Sequence, residues 1–361
     1  MSPLMLPFKT AVMNLKEILS LAYCTILVGC STSLPHSSHS SPQGAAQPPN
    51  VPSPTLATSQ PAQPKVLKPL TTLTLNYQIE TYHSQVFGRN RTYGIVLPPG
   101  YEQKMQARYP VVFLLHGGHG SPTSWLIKGK ALEVVETLYA SGKLPPSIIV
   151  TPDGNDRRES SPLFDPEYVN GQYGNVLSAI GDELVQEVKA RYRTLNDPRF
   201  WAIGGLSSGG WGALNVGLHH PEHFKTLFSH SGYFTDKSGV ENSPIEFVKT
   251  LAPETRRSLA IYLDAGEGDG KYLAQSQAFH QVLNQLQVEN VFNEFPGGHH
   301  VKEKDTGWGV WHQHLADSAT GGGVKEKDMG WGFWHQHLAD SLTYVGARFR
   351  AAEKNRLLSK R

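Results

Sequence analysis

Cysteine is almost missing from this chain: there are two, Cys24 and Cys30, both close to the N-terminus. The body of the protein can therefore hold neither a disulfide framework nor a cysteine-based metal site. Net charge is almost missing too. With 33 Lys and Arg against 31 Asp and Glu, the formal charge is +2, which points to no nucleic-acid partner. The apolar run Ile18–Val28 is too short to span a bilayer comfortably. From Ser31 to Pro64 there is no Asp, Glu, Lys, Arg or aromatic residue. Such a stretch cannot bury enough apolar surface to offset its ordering entropy, so a disordered, proline-extended linker is expected there.

What precedes the linker has the form of an export signal. Lys9 and Lys16 supply positive charge, and Met13 offers a start that would give a compact signal. The apolar run ends in Leu27-Val28-Gly29-Cys30, which resembles a bacterial lipoprotein cleavage box. Cys30 would then be lipidated and become the new N-terminus. The expected organisation is a signal at 1–29, a lipidated linker at 30–69 and one domain at 70–361. The expected location is a membrane, facing the periplasm or the exterior, with the lipid on Cys30 as the membrane partner.

From about Leu70 the composition becomes globular. Strands are predicted at Leu73–Tyr82, Arg91–Leu97, Val111–Leu115, Ile148–Thr151, Trp201–Ile203, Leu227–Ser231, Ala260–Leu263 and Val291–Phe295. Helices are predicted at Ala131–Ala140, Leu177–Tyr192, Trp211–His219 and Ser276–Leu286, with a long loop over 155–174. Continuous apolar runs such as Val111–Leu115 suit strands buried on both faces. Strands alternating with helices give an α/β class: a mainly parallel central sheet with helices on both faces.

The most informative stretch is Gly205-Leu-Ser-Ser-Gly209, which fits G-x-S-x-G between a short strand and a helix. That context is the one a nucleophile elbow requires. The serine at the tip, Ser207, would be held clear of the fold at the positive end of a helix. Three other strand ends carry chemistry, and in an open α/β sheet active groups gather there. His116-Gly-Gly118 follows one strand; its backbone N–H groups, Gly118 first, would join that of Ser208 in an oxyanion hole. Asp264-Ala-Gly-Glu-Gly-Asp269 follows a second and offers three carboxylates. Pro296-Gly-Gly-His-His300 follows the last, with His299 or His300 as base. The chain order Ser, acid, His is that of α/β-hydrolases.

Several segments in order resemble the esterase family of α/β-hydrolases that includes feruloyl esterases, S-formylglutathione hydrolases, enterochelin esterases and mycolyl transferases. They are Tyr93–Tyr101, Pro110–Gly118, Thr151–Asn155, Arg199–Gly210, His220–Phe224, Asp264–Asp269 and Gly297–His299. The resemblance implies Ser207 as nucleophile, Asp269 as acid, His299 as base, and Gly118 and Ser208 as oxyanion donors. It implies hydrolysis of carboxylic or thio esters through an acyl-enzyme, with no cofactor. Acyl transfer of the mycolyl type is the nearest alternative, and a non-catalytic surface binding domain another.

Two features stand apart. His312/His314 and His335/His337 are His-x-His pairs, which on a helix point to different sides and are poorly placed to share a metal; no metal site is expected. Residues 301–318 and 324–341 are a tandem repeat that differs only at Thr306/Met329 and Val310/Phe333. Two copies are too few for a solenoid. One docking groove is expected, filled by Gly309–Ser318 because that copy directly follows His299. The second copy would then lie over the surface, partly exposing Trp331, Phe333, Trp334 and Leu338. The rival is that the second copy docks, because it connects to Leu342–Arg350, and the first loops out.

Overall fold

The computed structural model describes residues 74–159, 168–299 and 331–359. Cys30, the linker and the first repeat copy lie outside the described residues, as does His300. The main sheet has eight strands in the order β1-β2-β4-β3-β7-β8-β9-β10. β1 (Tyr77–Ser84) and β2 (Arg89–Val96) form an antiparallel hairpin, and β2 pairs antiparallel with β4 (Ile148–Pro152). From β4 onward every pairing is parallel, through β3 (Val111–Leu115), β7 (Trp201–Leu206), β8 (Thr226–His230), β9 (Ala260–Gly266) and β10 (Glu289–Phe295). β5 (Asn170–Gly171) and β6 (Gly174–Asn175) make a separate two-residue hairpin inside the predicted 155–174 loop.

Every residue of β3, β4, β7, β8 and β9 is buried, so the middle of the sheet is covered on both faces. The helices do the covering. They run from α1 (Ser124–Ile127) and α2 (Ala131–Ala140) to α3 (Val176–Ser178), which continues through a π-helical segment into α4 (Val185–Arg191). The predicted 177–192 helix is thus present but locally widened. α5 (Ser208–His219) begins three residues earlier than expected, because Ser207 alone makes the corner after β7. α6 (Pro244–Thr250) and α7 (Pro253–Arg257) fill a region with no predicted element, and α8 (Lys271–Gln285) precedes β10.

The final helix, α9 (Trp331–Leu358), corrects one expectation. It is built from the second repeat copy, and Trp334 and Leu338 are buried rather than exposed. The reason is continuity. Trp334, Leu338, Leu342, Val345, Phe349 and Ala352 recur at helical spacing and are all buried, so the copy runs without a break into the terminal segment. Each large side chain of that stripe adds about 2 kcal/mol of burial. The first copy is instead followed by Ala319-Thr-Gly-Gly-Gly323, a poor continuation for a helix.

Candidate active site

The parallel register brings the strand ends level. Leu115 pairs with Gly205, Leu206 with His230, His230 with Asp264, and Gly266 with Phe295. The residues just beyond those ends are therefore neighbours: the 116–118 turn, Ser207, Ser231, Asp269 and His299.

Ser207 occupies the corner between β7 and α5 with φ 53° and ψ −122°, outside the ordinary regions for a residue with a side chain. Its N–H donates to the His230 carbonyl at 2.9 Å, and its carbonyl accepts from Trp211 N–H at 3.1 Å. The corner closes because Gly209 has no Cβ: one there would lie 2.3 Å from the His116 carbonyl oxygen and 2.5 Å from that of Leu115. Ser207 is half-buried, while Ser208 is buried and opens α5. N–H groups of a helix's first turn have no intrahelical acceptor and carry the positive end of its dipole. Gly118 lies half-buried in the facing turn.

That turn is fixed by His116, whose ring is buried. Its Nδ1–H donates to the Gly117 carbonyl at 2.9 Å, and its Nε2 accepts from Gly154 N–H at 3.0 Å. Burial pushes the His116 pKa down, in keeping with a neutral ring in these two bonds. Tyr168 hydroxyl donates to the His116 carbonyl at 2.6 Å. Histidine 116 thus acts as a strut, and its glycine neighbours face the serine.

Asp269 ends a short turn after β9, and His299 follows Gly297-Gly298 after β10. The two loops are tied by Gly268 N–H donating to the Gly297 carbonyl at 2.8 Å. Gly298 has φ +149°, and a Cβ there would fall 2.4 Å from Asp269 Oδ1, so only glycine lets the chain turn close enough. Oδ1 then accepts from His299 N–H at 2.5 Å and from His299 Nδ1–H at 2.9 Å. Oδ2 accepts from Gly266 N–H at 2.8 Å and from Ser231 hydroxyl at 2.5 Å. Burial raises the Asp269 pKa, but the His299 bonds and charge and the Ser231 bond outweigh it and hold the carboxyl at about 2. An ionised carboxylate against Nδ1 puts the ring proton there and leaves the lone pair on Nε2.

The imidazole is also held by its faces. Tyr272 stacks on it with ring centroids 4.6 Å apart and planes at 18°, and Trp334 meets it edge-on at 4.8 Å and 88°. An aromatic row continues from Tyr272 to Tyr233 and to Trp211, which stack at 5.1 Å.

Of the three carboxylates offered by the 264–269 segment, Asp269 meets His299. Glu267 is exposed, and Asp264 lies within β9, where its Oδ2 bonds His230 Nδ1 at 2.7 Å. Ser231 went unremarked in the sequence; its only signal was its place at the end of an apolar run. Away from these strand ends, Asp182, Glu222 and His223 approach one another at the far end of α5, with Lys189 Nζ 3.4 Å from His223 Nδ1. His335 and His337 have separate neighbours: His335 Nδ1 bonds the Gly129 carbonyl, and His337 stacks on Phe295.

A sharp strand–serine–helix corner at the carboxyl end of a mainly parallel sheet defines an α/β-hydrolase. The family described as Putative esterase matches residues 84–320, and the chain belongs to it. A Corynebacterium glutamicum protein is 24% identical over 242 residues, covering 62% of this chain and 54% of that one. An endo-1,4-β-xylanase/feruloyl esterase of Xylanibacter ruminicola is 34% identical over 176 residues, covering 47% of this chain and 22% of that protein. The chain thus spans about half, or less, of the length of these two relatives. Among solved structures, a ferulic acid esterase superposes with a TM-score of 0.63 at 24% identity, over 76% of this chain and 99% of its own; this likeness concerns the fold.

Proposed function

We propose that this protein hydrolyses carboxylic esters through an acyl-enzyme formed on Ser207. The observation that carries the reading is the His299–Asp269 pair, bonded at 2.9 Å, on loops two and three strands from a serine on a strained corner at the same end of the sheet. His299 Nε2 takes the Ser207 proton as the hydroxyl oxygen attacks the ester carbonyl. Asp269 holds the tautomer and offsets the imidazolium charge that forms. The N–H groups of Gly118 and Ser208 receive the oxyanion, at about 3 kcal/mol per donor. His299 then returns the proton to the leaving alcohol, and water, activated by the same ring, releases the acid. Family membership and the feruloyl esterase among the relatives support the reaction class. The half-buried Tyr272 beside His299, and Tyr233 next to it, would favour a flat or aromatic substituent.

A panel of p-nitrophenyl esters of rising chain length, with a feruloyl ester and S-formylglutathione, tests the reading. Hydrolysis of at least one ester that vanishes in Ser207→Ala is the expected result. Silence of the folded protein across the panel would instead favour a binding domain. The segment Leu27–Cys30 further supports lipidation at Cys30 and a membrane location, which loss of membrane fractionation in Cys30→Ser would test.

A further inference from the structure

Ser231 follows β8 with φ +47°, in the left-handed region that favours glycine. Glycine would sit there with less strain, and the very next residue is Gly232. The position nevertheless holds a fully buried serine. Its N–H donates to the Asp264 carbonyl at 2.8 Å, a bond any residue could make. Its hydroxyl donates to Asp269 Oδ2 at 2.5 Å, a bond that needs the side chain. A hydroxyl has one proton, and the carboxylate that faces it is kept ionised, so that proton is committed to Oδ2. With Gly266 N–H on the same oxygen, Oδ2 is filled from the protein interior, and Oδ1 is the oxygen turned to the ring and backbone of His299.

We propose that Ser231 is a positioning residue for ester hydrolysis: by holding Asp269 Oδ2 it orients Oδ1 toward His299 Nδ1 and so fixes the ring that would deprotonate Ser207. The assignment rests on the esterase reading of His299. The backbone strain at Ser231 provides the means of testing it, because a positioning role and a structural role predict opposite pairings of activity and stability in Ser231→Gly.

In Ser231→Gly the strain is relieved and the hydroxyl lost; in Ser231→Ala the hydroxyl alone is lost. Both should lower kcat on p-nitrophenyl acetate by about 10- to 100-fold, the size of one hydrogen bond to a charged group, with KM changed less than about twofold. Ser231→Gly should melt above Ser231→Ala, because it loses the same bond but is relieved of the backbone strain. A second readout does not need turnover: the downfield proton resonance of the His299 Nδ1–H···Asp269 bond, present in wild type and in Ser207→Ala, should shift or broaden in Ser231→Gly. If wild type hydrolyses no ester, the esterase reading fails, and this resonance alone decides the role of Ser231. Unchanged kcat and an unchanged resonance in Ser231→Gly would overturn the proposal. So would a loss of activity in Ser231→Ala that Ser231→Gly, freed of the strain, recovers.

Discussion

The same three residue types meet twice in this protein, with opposite surroundings. At the strand ends, Asp269 bonds His299, and the half-buried Ser207 stands on a corner nearby. Beneath them, Asp264 bonds His230 at 2.7 Å, and His230 Nε2 meets Ser341 Oγ at 3.0 Å. All three of the lower set are fully buried. The difference lies in the serine. Ser207 sits half-buried in a strained loop conformation at the positive end of α5. Ser341 sits inside α9, its hydroxyl shared between His230 and the Leu338 carbonyl, with no route for a substrate. The upper set has the arrangement proposed for ester hydrolysis; the lower, in the interior, fastens a helix to a sheet. The two sets touch, because Ser231 bonds Asp264 through its backbone and Asp269 through its side chain.

The largest expected effect separates the two serines. Ser207→Ala should cost about 10⁴-fold or more in kcat while leaving the melting temperature near that of wild type, since alanine keeps the Cβ and the backbone bonds of the corner. Ser341→Ala should leave kcat of the folded protein intact and cost about 1 kcal/mol of stability, the net value of a typical buried hydrogen bond. Paired turnover and thermal-melt measurements check both. Loss of turnover in folded Ser341→Ala would make the lower set part of the active site.

The two aspartates sharpen the contrast. Asp269→Asn should lower kcat by orders of magnitude, by analogy with triads whose acid fixes the histidine tautomer. Asp264→Asn should act mainly on folding, by about 3 kcal/mol, because it breaks one partner of a fully buried pair. If the folded Asp264 variant were the inactive one and the Asp269 variant active, the acid role would move to Asp264.

Much of the upper set could be read along the chain, and almost none of the lower. Ser207, Asp269 and His299 sit in glycine-rich loops whose composition announces a strand end; the choice of Asp269 among three carboxylates and of His299 over His300 comes from the family resemblance. His230 and Ser341 are separated by 111 positions and sit in an apolar strand and a helix, where nothing local marks them as partners. Ser231 is likewise 38 positions from Asp269. The fold class was legible because the buried parallel strands are largely apolar. Which repeat copy docks was not, because the copies agree at every docking position described. The family match ends at residue 320, just past the first copy, whereas the described helix is made by the second.

Acid should weaken the upper set selectively. The Asp269 carboxyl is depressed from 3.8 to about 2, so its contribution is fully present above the unfolded value and is lost as pH falls through the folded one. The amount is about 2 kcal/mol. Wild-type stability should therefore fall between about pH 4 and pH 2 by that much more than the stability of Asp269→Asn, as urea titrations at stepped pH would reveal. Parallel curves for the two proteins would mean that Asp269 does not carry this dependence.

The smallest expected effect concerns the repeat, where two deletions ask whether α9 depends on which copy supplies it. Removing 301–323 joins His300 to Val324 and keeps the observed helix whole. The connection left, His300 with 324–330, can reach about 25 Å when extended, ample for a Trp334 ring that packs against His299. Removing 319–341 joins Ser318 to Leu342. Trp311, His312, His314, Leu315 and Ser318 then take the places of Trp334, His335, His337, Leu338 and Ser341, residue for residue. The edge-on contact with His299, the bond to the Gly129 carbonyl, the stack on Phe295 and the bond to His230 can all re-form, and the apolar stripe still continues through Leu342, Val345 and Phe349. Both deletions should melt within a few degrees of wild type and keep its kcat. If only the first deletion folds, the second copy has a requirement beyond the contacts described, and Met329 and Phe333 are where it differs. If neither folds, both copies are structural, and the single-groove account of α9 is wrong.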